Sequence, residues 1–144
     1  MKIETEYFGE IEYTKEDIIT FRNGLYGFET HHLFLPVSFD EKSDSLLCLQ
    51  NLEDRHLSFI AVNPFVFFPE YKPELENGDY SKLGTQEDNE LSYYALCVME
   101  AHAEECRVNL RCPIVVNVKS REAVQVVLRD SSYSFRQPLG KTQQ

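Results

Sequence analysis

Short stretches of alternating apolar and polar residues run along most of this chain, and turn-forming residues separate them. In the stretch 57–62, one set of residues, at 57, 59 and 61, alternates with another at 58, 60 and 62, and the stretch is rich in β-branched and aromatic residues, which predicts a strand. The same reasoning predicts further strands at 3–7, 11–13, 18–21, 31–36, 46–50, 93–99, 107–110, 114–118 and 123–128. Helical periodicity is scarce, and no internal repeat is present.

Two pairs of neighbouring strands predict β-hairpins. The first spans residues 3–13 and turns at Gly9-Glu10, with one charged face, and the second turns at 119–122. Because there is no βαβ rhythm, we predict a mainly β fold, an antiparallel barrel-like single domain over 1–144 with one or two short helices.

The regions between the strands are polar. We predict a polar loop at 39–45, a polar connection at 101–105, and either one short helix at 80–83 or an ordered loop there. The end of the chain is polar and basic, and we expect a flexible tail from about residue 130 to residue 144.

Three prolines end the strand at 57–62. Pro64 lacks an amide donor and disfavours helical backbone at Asn63, and Pro69 and Pro73 repeat the interruption. The segment therefore carries its aromatic residues on a stiff support: Phe65, Phe67, Phe68 and Tyr71. Two interpretations stay open. The segment folds back and plugs one end of the core, or part of it stays exposed as an anchor for another protein, since stiff aromatic side chains lose little entropy on binding.

Composition excludes several classes of protein. Apolar residues make up 42% of the chain and charged residues 26%, as in ordinary globular domains. No apolar run has the roughly 18 residues that a membrane helix needs, and the N-terminus has no apolar signal region, so we expect a soluble cytoplasmic protein. The spacing of the cysteines fits neither a zinc knuckle nor a secreted disulfide framework, so they are expected to be reduced and partly buried: Cys48, Cys97, Cys106 and Cys112.

Charge is distributed unevenly around a net value of −10. Residues 1–106 carry 22 acidic and 7 basic side chains, whereas residues 107–144 carry 2 acidic and 7 basic ones. An acidic surface repels phosphate, which disfavours direct nucleic-acid binding and favours a basic protein partner. The alternative is that the acidic face serves solubility alone.

Catalytic motifs are absent from the sequence, which contains no GxSxG, P-loop, GxGxxG or HExxH pattern. His31 and His32 are adjacent, and adjacent residues of a strand point to opposite faces, so the pair would not chelate one ion. We therefore expect a protein that is not an enzyme and that has no metal site and no cofactor.

Five stretches, in order along the chain, resemble the flagellar assembly factor FliW family. They are 5–11, 18–21 with 23–29, 63–71, 108–117 and 125–128. Two positions depart from the usual family pattern: Tyr26 follows Leu25 where the family often has proline, and Arg107 precedes Val108 where threonine is usual.

This resemblance implies a cytoplasmic, barrel-like protein that binds two partners in turn, flagellin and the RNA-binding translational repressor CsrA. Flagellin occupies the factor until it is exported, and the freed factor then binds CsrA away from the RNA surface and relieves repression of flagellin translation. We expect no direct nucleic-acid or membrane contact and a monomer in the free state. The candidate partner-binding residues are Asn63, Pro64, Phe65, Phe67, Phe68, Glu70 and Tyr71, with Val108 and Asn109 as a second patch carried over from the family motif.

Two rival functions stay open at this stage. An acidic decoy could mimic RNA and compete directly for the basic groove of the regulator. A hydrolase or ligand-binding barrel is the other rival, and it requires a deep polar cavity with strongly shifted carboxylates.

Overall fold

The structure is a computed structural model that describes residues 1–40, 43–98 and 105–139. Its helices are α1 (Pro64–Phe67) and α2 (Asn77–Leu83), and single 3-10 turns lie at Lys15–Asp17 and Asp88–Glu90. Neither helix of these ranges is long and apolar enough to cross a membrane. The strands are β1 (Lys2–Thr5), β2 (Gly9–Glu12), β3 (Ile19–Phe21), β4 (Leu33–Asp40), β5 (Ser43–Asn51), β6 (Ser58–Val62), β7 (Leu91–Val98), β8 (Arg107–Val108), β9 (Ile114–Asn117), β10 (Glu122–Gln125) and β11 (Gln137–Pro138).

Seven strands close into a barrel in the order β7-β6-β5-β4-β3-β10-β9, because β9 also pairs with β7. This confirms the predicted mainly β, barrel-like fold with two short helices. All pairings in the barrel are antiparallel except β3 with β10, which is parallel and aligns Thr20 with Glu122. Outside the barrel, β8 pairs with β7 and β11 with β8, while β1 and β2 form a separate hairpin.

The alternating pattern produces two apolar cores, one on each face of the sheet. The core inside the barrel contains buried side chains from most of the strands: Ile19, Phe21, Phe34, Leu47, Leu49, Ala61, Ile114, Val116 and Ala123. The second core lies on the outer face of β6, β7 and β9, where Val62, Ala95 and Val115 are buried. Residues of α1, α2 and the C-terminal region cover it, among them Phe67, Leu83 and Leu128.

The predicted N-terminal hairpin is confirmed, but its turn lies at 6–8, and the predicted turn at Gly9-Glu10 is wrong because both residues belong to β2. Lys2 pairs with Glu12 and Glu4 with Glu10 across the two strands, and these side chains form the exposed charged face. The hairpin contacts the barrel through the Phe8 and Phe39 rings, whose centroids are 5.1 Å apart, and through Glu6 Oε1, which lies 3.1 Å from His56 Nδ1.

Other local predictions had different outcomes. The hairpin that turns at 119–122 is confirmed by the β9–β10 pairing, and the helix predicted at 80–83 exists but begins earlier, at Asn77. The polar loop predicted at 39–45 is wrong at 39–40 and 43–45, because β4 continues to Asp40 and β5 begins at Ser43, and their pairing outweighs the polar composition. Residues 41–42 lie outside the described residues.

Residues 130–139, assigned from sequence to the flexible tail, lie against the outer core. Gln137 pairs with Val108, and Leu139 is buried. Backbone hydrogen bonding to β8 and apolar burial hold this stretch in place, and its polar composition does not reveal either. Three remaining predictions fall wholly or partly outside the described residues: the end of the strand at Met99, the connection at 101–105, and the tail beyond residue 139.

Candidate functional site

The α1 segment, residues 63–71, begins with a helix-start signature. The Asn63 side chain accepts a hydrogen bond from the Phe65 amide at 3.0 Å, and Pro64 occupies the first turn, where its missing N–H is not needed. The Asn63 amide donates to Ser45 O at 2.8 Å, and the Phe68 amide donates to Pro64 O at 2.8 Å. These bonds hold a single helical turn at the end of β6. Sequence reasoning predicted a stiff segment here but not the turn itself.

The underside of the α1 segment packs into the protein. Pro64 is buried, and Phe67 and Phe68 are half-buried against the outer core. Tyr71 is only 5% exposed, and its hydroxyl donates to Leu110 O at 2.6 Å. Burial raises the pKa of the Tyr71 hydroxyl above its ordinary value, which favours the neutral form that donates this hydrogen bond.

The upper side of the segment faces solvent. Phe65 is 40% exposed and Val66 is 56% exposed. Two tyrosines support the Phe65 ring: its centroid lies 5.8 Å from that of Tyr71 and 5.5 Å from that of Tyr93, which it meets edge-on. Phe65 is thus an exposed aromatic ring in a fixed position.

One further tyrosine, Tyr133, extends this aromatic cluster. Tyr133 meets Tyr71 edge-on at 4.8 Å between centroids, and its hydroxyl oxygen accepts a hydrogen bond from the Lys72 amide at 2.9 Å. Burial raises the pKa of Tyr93 to about 12. Sequence reasoning did not single out Val66, Tyr93 or Tyr133. The Asn63-Pro64 pair is a helix-start signal and could have placed Val66 on the first helical turn. Only the tertiary fold brings Tyr93 and Tyr133 next to the α1 segment.

The second predicted patch lies partly below the surface. Val108 is 0% exposed and belongs to the outer core, so its side chain does not reach solvent. Asn109 is half-buried, and its side-chain oxygen accepts a hydrogen bond from the Cys112 amide at 2.9 Å. The fold brings this patch next to the α1 segment, since Tyr71 donates to the carbonyl of Leu110, directly after Asn109.

Charged residues border the α1 segment on its C-terminal side. Glu70 is exposed, and a cavity of about 270 Å³ beyond it is lined by both signs, including Lys72, Glu74 and Arg129. Arg129 Nε lies 2.7 Å from Glu76 Oε1. The border therefore carries charges of both signs. The Arg129–Glu76 ion pair is exposed to solvent, so it contributes little to stability.

The described residues give little support to the alternative that this protein is an enzyme. They contain no group of three or more His, Cys, Asp or Glu side chains placed to hold a metal ion. The four cysteines are buried as reduced thiols, and burial raises the pKa of Cys48, Cys97 and Cys112. Such thiols are poor nucleophiles at neutral pH.

Comparison with known proteins places these features in a family. A family model for the FliW protein matches residues 2–139. The flagellar assembly factor FliW of Bacillus licheniformis is 37% identical over 142 residues, which cover 97% of each chain. The Bacillus velezensis protein of the same name is 35% identical over 142 residues, again 97% of each. A crystal structure of a flagellar assembly factor FliW matches with a TM-score of 0.87 and 28% identity over 96% of both chains. Sequence and fold agree along nearly the whole chain, which belongs to the FliW family of flagellar assembly factors.

Proposed function

We propose that this flagellar assembly factor is a protein-binding partner switch without enzymatic activity. It binds flagellin while flagellin is abundant, and it binds the translational repressor CsrA once flagellin has been exported. Binding to CsrA makes the repressor release the flagellin transcript, and translation resumes.

The observation that carries this proposal is the exposed tip of the α1 segment, Phe65 with Val66, on a buried base. Binding hot spots are typically aromatic side chains that bury a large area and lose little freedom. The Phe65 ring already rests on Tyr71 and Tyr93, and the Asn63 cap fixes the turn beneath it. A partner therefore meets a preformed apolar surface.

The predicted binding residues divide into two roles on this surface. Phe65, Glu70 and the exposed edges of Phe67 and Phe68 are placed to touch a partner. The others act from below, because they shape or support the segment: Asn63, Pro64, Tyr71, Val108 and Asn109. The net charge of −10 favours association with a basic RNA-binding protein, and this association should weaken as salt screens the charges.

A titration of CsrA bound to a labelled flagellin leader RNA tests the proposal. Adding this protein should release the RNA, and excess flagellin should suppress the release. A Kd of about 1 μM corresponds to a binding free energy of about 8 kcal/mol. The proposal is contradicted if neither CsrA nor flagellin binds this protein at about that concentration.

The mixtures made in this titration also distinguish the proposed mechanism from the acidic-decoy alternative. A decoy occupies the RNA groove, so it can never share CsrA with RNA, whereas binding away from the groove permits a transient ternary complex. Native mass spectrometry at limiting protein would detect that complex. A matched pair of variants locates the contact: Phe65→Ala should impair release, and Tyr26→Ala, which removes another exposed aromatic ring, should not.

A further inference from the structure

Arg121 has an unusual backbone conformation for its residue type. Its φ is 64°, and it is the one non-glycine residue with positive φ among residues 1–40, 43–98 and 105–139. The turn before it is held by Asn117, whose side-chain oxygen accepts the amides of Lys119 at 2.9 Å and Ser120 at 3.2 Å, while its carbonyl accepts the Arg121 amide at 2.8 Å. Glycine suits this position best. A strained residue retained in a turn is a reason to look for a function.

The Arg121 side chain is held in place but is incompletely paired. Its Nη2 donates to Asp17 O at 3.0 Å, which ties the β9–β10 turn to the 3-10 turn before β3. Its Nε is buried and has no hydrogen-bond partner within the part of the chain that the structure describes. Arginine offers five N–H donors in a planar fork, and Nη2 donates to Asp17 O while Nε is buried. The remaining Nη donors of this half-buried side chain are the ones that could bind a carboxylate.

A broad pocket of about 590 Å³ opens beside this guanidinium. We call it the basic end pocket and define it by its cationic lining residues, Lys15, Lys119 and Arg121, and its apolar ones, Ile18, Leu33 and Val118. Lys119 Nζ is paired with Glu90 Oε2 at 2.9 Å. Lys15 and Arg121 have no ion pair in the described ranges.

One carboxylate, that of Glu16, also lines the pocket. Hydrogen bonds from its own backbone amide and from the Thr14 side chain hold the pKa of Glu16 below its ordinary value, so it is ionised at neutral pH. Asp17 is engaged within the same turn, where it accepts from the Thr14 amide at 2.9 Å. The lining therefore has more cations than anions, in a chain whose net charge is −10.

We propose that the basic end pocket binds an acidic peptide segment of a protein partner. Carboxylates of the segment pair with Lys15 and Arg121, and an apolar side chain between them rests on Ile18, Leu33 and Val118. The apolar lining and the breadth of the pocket suit a peptide better than a small ion, which needs a narrow, enclosed set of donors. The proposal does not depend on the partner switch. It gives an acidic protein one surface that accepts an acidic partner.

The test uses the whole protein and three probes: acetyl-EELEE-amide, its glutamine analogue acetyl-QQLQQ-amide, and inorganic phosphate. Fluorescence anisotropy of the labelled peptides, with unlabelled phosphate as competitor, gives each affinity. The acidic peptide should bind at least tenfold more tightly than the glutamine peptide, and this ratio should fall as salt is raised. Equal binding of the two peptides, or phosphate competition at the same concentration as the unlabelled acidic peptide, overturns the proposal.

Variants separate binding from a structural role. Arg121→Gly removes both the guanidinium and the strain, so it should weaken acidic-peptide binding about tenfold while raising the melting temperature. Lys15→Gln should weaken binding several-fold and Glu16→Gln should strengthen it several-fold, whereas Lys82→Gln, with the same loss of charge elsewhere, should change it less than twofold. If Lys15→Gln and Lys82→Gln have equal effects, the pocket is not the binding site. If Arg121→Gly lowers the melting temperature and leaves binding unchanged, Arg121 serves only to tether Asp17.

Discussion

The base and the tip of the α1 segment have similar composition and opposite environments. Tyr71, in the base, is buried and donates a hydrogen bond to Leu110 O, whereas Phe65, in the tip, exposes 40% of its surface. The two rings nevertheless contact each other at 5.8 Å between centroids. One short segment thus divides into a part that stabilises the fold and a part that remains available to a partner. Aromatic content alone therefore does not identify a binding residue.

Tyr71→Ala should have the largest effect on stability. It removes a buried ring and leaves the Leu110 carbonyl without its donor, and comparable core truncations cost about 3 to 5 kcal/mol. Urea unfolding monitored by circular dichroism measures this loss. A loss below about 1 kcal/mol would show that the base is not part of the core, since surface substitutions fall in that range.

Phe68→Ala should have an intermediate effect. The ring is half-buried against the outer core, so its removal should cost about 2 kcal/mol, less than a full core truncation. Because one edge of the ring stays accessible, partner binding should also weaken. If Phe68→Ala leaves the unfolding free energy unchanged, Phe68 belongs to the tip. If it leaves the affinity for the partner unchanged, Phe68 belongs wholly to the base.

Alkaline pH should remove the contribution of Tyr71, in the base, to stability. The pKa of Tyr71 is raised by burial, so above pH 10 the unfolded chain loses this proton while the folded chain retains it. The contribution of Tyr71 to stability is therefore intact below about pH 10 and falls above it, by up to about 1.4 kcal/mol per pH unit for each such tyrosine. Tyr93, with a pKa of about 12, adds to the slope up to that pH. Unfolding free energies measured from pH 9 to pH 11 should show a steeper decline in the natural protein than in Tyr71→Phe; parallel declines would contradict this assignment.

Much of the fold could be predicted from local sequence, and the rest depends on distant pairing. The β-branched and aromatic residues concentrated at 57–62 and 114–118 are enough to identify β6 and β9 without other information. Closure of the barrel through β7 with β9, and the parallel pairing of β3 with β10, join residues far apart in sequence. No local pattern specifies such contacts. The failed loop at 39–45 has a different cause, because β4 and β5 are neighbours in sequence and their pairing, as far as Asp40 with Ser43, overrides the polar composition.

The candidate site shows the same limit. The prolines and aromatic residues of 63–71 predicted a stiff segment, and Asn63 with Pro64 contains the signal for the helical turn. Which rings turn inward depends on the outer face of β7 and on Tyr133, and neither adjoins the segment in sequence. Sequence therefore located the segment but could not separate its base from its tip.

The most direct test of the binding role is to measure the affinity of Phe65→Ala for CsrA and for flagellin by isothermal titration calorimetry, with its unfolding free energy measured in parallel. Loss of an exposed ring should cost less than about 1 kcal/mol of stability, and loss of a hot spot should reduce affinity at least tenfold, which is about 1.4 kcal/mol. The expected result is weaker binding to at least one partner with nearly unchanged stability, and unaltered binding in Tyr26→Ala. Unchanged affinity for both partners in Phe65→Ala would contradict the proposal that the tip of the α1 segment is the binding surface.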